Sequence, residues 1–184
     1  TDSSSDNLID YNPPTGFYAA CGGGWNTTVH TWRIRGQENS FFKNALFFLG
    51  YKFGGYHGVR VSAEYLQDKV WEKGSAMLEE NEFKNMVYSL DYNFHILNAF
   101  AGINPARRYD VSLYAGPSYV QGKAGNGLAW NFGGIISYNV SPKMALFYSH
   151  TIYRMDSKQY QSIQVYTKPG TFVNSLNVGL QYKF

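Results

Sequence analysis

At the end of this chain, apolar and polar side chains alternate one by one. Phe172, Leu176, Val178, Leu180, Tyr182 and Phe184 fall on one side, broken only by Asn174, and Ser175, Asn177, Gly179, Gln181 and Lys183 fall on the other. Successive strand residues point to opposite faces, whereas a helix returns to one face about every 3.6 residues, so this run specifies a strand between two different environments. The pattern recurs upstream. Leu128, Trp130, Phe132, Ile136, Tyr138 and Val140 alternate with Ala129, Asn131, Gly133, Ser137 and Asn139. Tyr109, Val111, Leu113, Ala115 and Tyr119 oppose Asp110, Ser112, Gly116 and Ser118; Met86, Tyr88, Leu90, Tyr92 and Phe94 oppose Ser89, Asp91 and Asn93. Val59, Val61, Ala63 and Tyr65 oppose Arg60, Ser62 and Glu64. Ala45 to Phe53 is apolar on both faces at its upper end, Met144 to Met155 leaves its register open, and Gly16 to about Asn26 is diluted by three consecutive glycines.

Eight such stretches need a common explanation, and composition supplies it. Aromatic residues reach 18%, charged residues only 16%, and no apolar run approaches the roughly 20 residues that a membrane-spanning helix needs. Apolar content spread in alternation suits an all-β, eight-stranded, antiparallel, up-and-down transmembrane β-barrel, with lipid outside and a lumen filled by its own side chains. Residues 1–14, polar and ending in two prolines, are expected to form a flexible lead-in, unstructured or loosely docked, to a barrel over 15–184.

Connections and aromatic positions fit this architecture. Residues 54–58 and 139–143 are short, whereas 27–41, 69–82 and 156–170 are longer and more polar, as expected for periplasmic turns and external loops with both termini periplasmic. Residues 95–107 are long for a periplasmic turn, and 121–127 are brief for an external loop. Tyr51, Phe53, Tyr92, Phe94, Tyr109, Tyr138, Tyr182 and Phe184 then fall at the periplasmic strand ends, and Trp25, Tyr65, Tyr119, Trp130 and Phe172 at the outer ends. The ten residues from Tyr109 to Tyr119, at about 3.3 Å each and a tilt near 45°, rise roughly 23 Å, against an expected apolar band of about 25 Å.

Two segments carry a resemblance to known proteins. The ending Asn177-Val178-Gly179-Leu180-Gln181-Tyr182-Lys183-Phe184 resembles the C-terminal signal of bacterial outer-membrane barrels, with Asn177, Gly179, Tyr182 and Phe184 at its marked positions. The resemblance implies recognition by the barrel-assembly machinery. Phe100-Ala101-Gly102-Ile103-Asn104-Pro105-Ala106-Arg107, with Leu113-Tyr114-Ala115-Gly116-Pro117, resembles small outer-membrane barrels of the Bacteroidetes, relatives of the OmpA-type N-terminal barrel. This implies the bacterial outer membrane as location and its lipids, lipopolysaccharide included, as surroundings. The peptidoglycan-binding domain that often follows such barrels is not carried over.

Residues capable of chemistry are few. The net charge of +3 without a basic cluster gives nucleic-acid binding little support, and no cofactor or metal is expected. His30, His57 and His95 lie in or near connections, are read as solvated, and lack metal-ligand spacing. Gly22-Gly23-Gly24 lacks the Lys-Ser/Thr of a phosphate loop; its glycines are expected to admit a bulky lumen neighbour or close packing. Glu79, Glu80 and Glu82 are assigned to a solvated loop, and the single cysteine, Cys21, to a small apolar strand position. The first residues hold Asp6, Asp10, Pro13 and Pro14 and no basic segment; the barrel reading expects a secretion signal already removed.

Some small outer-membrane barrels are lipid A acyltransferases or deacylases that use His with Ser. The candidate here, Ser149-His150, points its two side chains to opposite faces. If Met144, Leu146, Tyr148 and Ile152 face outward, His150 stands in the lipid belt; the other register buries it in the lumen. Inside, Arg60, Glu64, Asp91, Asp110 and Lys183 are expected to form ion pairs, since charges removed from water must be paired or hydrogen-bonded. A non-catalytic barrel, structural or an accessory subunit of a larger outer-membrane complex, is the favoured expectation. A lipid A-modifying enzyme and a free-standing surface-binding barrel are the alternatives, and a soluble barrel would need the opposite pattern.

Overall fold

Where side chains alternate between burial and exposure, the computed structural model holds strands; it describes residues 9–29, 43–71, 80–122, 125–155 and 171–184. The strands are β1 (Gly16–Val29), β2 (Asn44–Phe53), β3 (His57–Trp71), β4 (Glu80–His95), β5 (Tyr109–Gly122), β6 (Gly125–Asn139), β7 (Met144–Met155) and β8 (Thr171–Lys183). A short helix, α1 (Ile96–Ala101), follows β4. Each strand pairs antiparallel with the next, and β8 pairs with β1 to close an eight-stranded barrel. Closure leaves no unpaired sheet edge.

The stagger of the barrel is read from its ladders. Ala145 pairs with Gln181, then Ala20, Phe48, Ser62, Ser89, Ser118 and Ala129 follow, and the row returns to β7 at Met155, ten residues further on. Strands so staggered tilt strongly from the barrel axis. A row of paired residues therefore climbs the wall: Phe53, His57, Phe94, Leu113, Gly134, His150, Leu176 and Trp25 run from the end that carries the chain termini to the opposite, loop end.

The glycine-rich first stretch is a regular strand because β1 passes very close to β8. A Cβ at Gly24 would stand 1.7 Å from the Leu176 carbonyl oxygen, and one at Gly22 would meet Val178 O and the Phe147 ring at 2.6 and 2.8 Å. Elsewhere the strands outrun the expected limits. Lys69 pairs with Glu82 and Trp71 with Glu80, so Glu80 and Glu82 belong to β4 and not to a loop; backbone pairing continues past the apolar belt. Glu79 and His30 lie outside the described residues.

The terminal end is held together by contacts across the barrel mouth. Tyr11 and Asn12 donate backbone N–H groups to Pro105 O, Gly55 N–H donates to Pro14 O, and Lys52 Nζ reaches Asn12 Oδ1 at 2.8 Å. Asn12 is buried, so this part of the lead-in is docked across the barrel mouth because its polar groups find partners there; residues 1–8 lie outside the described part. The long connection between β4 and β5 holds α1, which ends at Gly102 in the left-handed region (φ 75°). Arg107 donates to Leu97 O, Asn98 Oδ1, Ala101 O and Gly102 O, satisfying helix-end carbonyls that have no partner within the helix. The glycine and arginine of that segment are thus structural parts of a cap.

Candidate functional site

Alternation sends two sets of groups to two surfaces, a polar lumen and an apolar wall. In the lumen, Arg60 donates to Asp91 Oδ2 through Nε at 2.9 Å and Nη2 at 2.5 Å. Asp91 Oδ1 accepts from Asn131 Nδ2 at 2.7 Å, and Asn131 also reaches Ser118, which bonds to Ser89. The guanidinium lies 3.7 Å from the centre of the Tyr114 ring and 5.1 Å from that of Phe48. An ion pair removed from water is tolerable when each partner is also hydrogen-bonded, and stacking on aromatic faces adds to that support.

Glu64 stands in a second network. The Tyr153 and Ser175 hydroxyls and Asn177 Nδ2 donate to its carboxylate, and Asn44 Nδ2 bonds to Ser175. Among the described residues, hydroxyl and amide donors hold Glu64, and no cation is paired with it. Asp110 stands at the terminal end, with His95 Nδ1 at 2.8 Å and Lys52 Nζ at 3.5 Å. Lys183 turns instead to Tyr11 O at 2.6 Å and Asn139 Oδ1 at 2.5 Å. The five expected lumen charges therefore divide: Arg60 and Asp91 meet directly, Glu64 stands in its own network, and Asp110 and Lys183 share the terminal end with different partners.

Sequence reasoning missed two members of this set. His95, read as solvated, is buried with its ring turned inward at the base of β4. Lys52 follows the inward parity of Leu46 and Phe48 in β2 and was discoverable from that alternation.

Apolar layers close the lumen. Leu66, Val87, Val120, Tyr153, Met155 and Val173 pack at the loop side, and Tyr18, Leu46, Phe48, Tyr114, Ile135 and Phe147 pack below the Glu64 network. At the terminal end a cavity of about 40 Å³ remains beside Lys52, His95, Asp110 and Lys183, room for a water or two and not for a path.

On the wall, the register of β7 puts Ser149 in the lumen and His150 outside. Ser149 and His150 therefore do not meet, and His150 Nε2 lies 3.4 Å from Asn174 Oδ1. The expected aromatic rows also face outward: Tyr109, Tyr182 and Phe184 are exposed at the terminal end, and Tyr119, Trp130 and Phe172 at the other. His57 shares a hydrogen bond with the Tyr92 hydroxyl in the terminal row. Between the rows, His150 and Asn174 are the described outward side chains that carry nitrogen. The four residues expected to mark a C-terminal assembly signal split by parity. Asn177 and Gly179 turn inward, whereas Tyr182 and Phe184 turn outward with ring centres 5.2 Å apart.

No protein-family model matches the sequence, and neither does any curated protein. Solved structures do match in fold. A major outer membrane protein from Thermus thermophilus aligns with TM-score 0.60 at 14% identity, over 92% of this chain and 99% of that one. Neisserial surface protein A aligns with TM-score 0.57 at 14% identity, over 92% and 97% of the two chains. The outer membrane protein OprG from Pseudomonas aeruginosa aligns with TM-score 0.56 at 12% identity, over 95% and 98%. At these identities the likeness shows a shared fold, the closed eight-stranded barrel found in outer-membrane proteins.

Proposed function

We propose that this chain is a non-catalytic outer-membrane barrel that acts through its wall, as an accessory subunit of a larger outer-membrane assembly. The sealed, side-chain-filled lumen carries this reading, because it leaves the wall and the rims as the working surfaces. An outward apolar belt between two aromatic rows supports a place in the outer membrane, in contact with its lipids, lipopolysaccharide included. The tight turns lie beside both termini, which supports a periplasmic position for that end. Tyr182 and Phe184, exposed at the end of β8, suit recognition by the barrel-assembly machinery before closure.

His150 supports the subunit role. Lipid chains offer an imidazole no hydrogen-bonding partner, and a protein neighbour does. Extraction from native membranes in a mild detergent, followed by mass and composition analysis, tests the proposal. The expected particle holds further protein besides one copy of this chain; a particle with one copy and detergent alone would sink the subunit role.

A further inference from the structure

Past the terminal aromatic row the wall runs on into an apolar projection. Phe53, His57 and Phe94 follow one another along that row with successive ring centres 5.9 Å apart, and the Tyr56 ring lies 6.3 Å from that of His57. Two residues beyond Phe94, α1 begins, and Ala99, Phe100, Ala101 and Ile103 are all exposed. Phe100 is 87% exposed, more than any other large apolar side chain among the described residues. The segment that carries it is braced. Asn98, two residues back and so on the other side of the helix, is buried and donates to Gly55 O at 2.6 Å. A Cβ at Gly55 would stand 2.6 Å from Ile103 Cδ1, which seats the segment on the turn between β2 and β3. Arg107 ties Leu97, Asn98, Ala101 and Gly102 together.

The projection carries charge of one sign. From Ile96 to Arg108 there is no Asp or Glu, and Arg107 and Arg108 close the segment. Arg108 is exposed, bonds to the Tyr11 and Tyr138 hydroxyls, and among the described residues meets no carboxylate. Lys143, in the turn between β6 and β7 at the same end, is exposed too. Of the described acids here, Asp110 is taken up by His95 and Lys52, which leaves Asp10 on the lead-in. Apolar groups beside cations suit a membrane boundary, where rings enter the layer between headgroups and acyl chains and cations attract anionic lipid. Resting on the reading of the wall as membrane-embedded, we infer that α1 is an interfacial anchor: Phe100 enters the headgroup layer at the terminal end, and Arg108 and Lys143 hold anionic phospholipid there. Reach agrees. From Ile96 to Phe100 is four residues of helix, about 6 Å, against a headgroup layer of about 5–8 Å on each side of a bilayer. Lipid fits better than a separate protein pocket, because apolar surface continues from Phe94 through Ile96 and Leu97 to Phe100. The polar side chains between them, His95 and Asn98, are both buried.

Spin labels on single cysteines in a Cys21→Ser background test the anchor, with the full chain in phosphatidylcholine vesicles that contain phosphatidylglycerol. Labels at Phe100→Cys and at Leu146→Cys, on the outward face of β7, are expected to meet dissolved oxygen in preference to a water-soluble nickel chelate. A label at Ala106→Cys, exposed farther along the connection, is expected to show the reverse. Spin-labelled phosphatidylglycerol is expected to be held about twofold or more over spin-labelled phosphatidylcholine, and Arg108→Gln combined with Lys143→Gln to abolish that preference. Heat-modifiable electrophoretic mobility checks that each variant forms a closed barrel. A chelate-accessible label at 100 beside a sheltered one at 146 overturns the anchor and leaves the membrane reading standing. Chelate access at both positions overturns the membrane reading as well. A label at 100 that is sheltered in native membranes yet chelate-accessible in the vesicles gives the patch to a protein partner and overturns the lipid occupant. A preference that survives the double substitution, or no preference at all, overturns the choice of anionic lipid.

Discussion

Along β7 the two surfaces of the barrel interleave residue by residue. Ala145, Phe147, Ser149, Thr151, Tyr153 and Met155 are buried, while Met144, Leu146, Tyr148, His150, Ile152 and Arg154 look out. The inward set mixes hydroxyls with apolar groups, and its polar members join networks: Tyr153 holds Glu64, and Thr151 bonds to the Tyr114 hydroxyl at 2.6 Å. The outward set is apolar between the rims except for His150. In a soluble protein the rule runs the other way, because water satisfies polar groups outside. Here the lumen must supply the partners that water would give, so its polar positions depend on one another. In the proposed membrane setting the wall meets fluid lipid, which adapts to shape and cannot solvate charge.

The sharpest way to break this comparison is to remove one member of a lumen pair. Asp91→Ala leaves Arg60 charged and unpaired and strips Asn131 of an acceptor; a loss of about 3–5 kcal/mol is expected. Urea unfolding of the barrel in lipid vesicles reads the change. Arg60→Met combined with Asp91→Leu should lose less than Asp91→Ala alone, since neither charge is then stranded. If the double variant loses as much as the single effects summed, the two side chains are independent and the interlocked lumen is wrong.

This difference between faces also explains what the sequence made legible. Strand number, face and the two aromatic rows are carried by parity, a property of single residues and their neighbours, and Phe172 to Phe184 displayed it openly. Pairing inside the lumen is not so encoded. Arg60 meets Asp91 because β3 and β4 pair in register, but Glu64 meets Ser175 and Asn177 across the lumen, and only the ten-residue stagger brings them level. His95 lay at the end of an alternating run and was assigned to a connection, because nothing local says that β4 continues by one residue before α1. The docking of Tyr11 and Asn12 on Pro105 depends on groups more than ninety residues apart and has no local signal.

A charge on the wall tests the opposite rule. Val61 is half exposed on the outward face of β3, between His57 and Tyr65, and Val61→Arg is expected to lose about 2–4 kcal/mol in vesicles. Val61→Leu should stay within about 0.5 kcal/mol. The arginine variant should recover much of its loss in detergent micelles, which let water reach the wall more easily, whereas Asp91→Ala should be nearly as damaging there. Equal sensitivity of the two variants to the surrounding medium would mean that lumen and wall are not distinct environments.

Adjacent glycines give the finest version of the comparison. Gly133 faces the lumen, where an added Cβ would lie 2.4 Å from both His150 O and the Tyr114 hydroxyl; Gly134 faces out, with 3.4 Å to its nearest neighbour. Alanine at either site changes backbone freedom in the same strand by a similar amount, so the difference between the two variants isolates the face. Gly133→Ala is expected to lose about 1–3 kcal/mol through overpacking against Tyr114 and β7. Gly134→Ala should change the stability of the single barrel by no more than about 0.5 kcal/mol. Unfolding at protein-to-lipid ratios low enough to keep barrels apart measures both without any contribution from contacts between copies. Similar losses at the two sites would show that the barrel itself demands glycine at 134 and that face does not decide the cost. A large loss at 133 beside a negligible one at 134 shows that lumen and wall set different packing demands on adjacent residues of one strand.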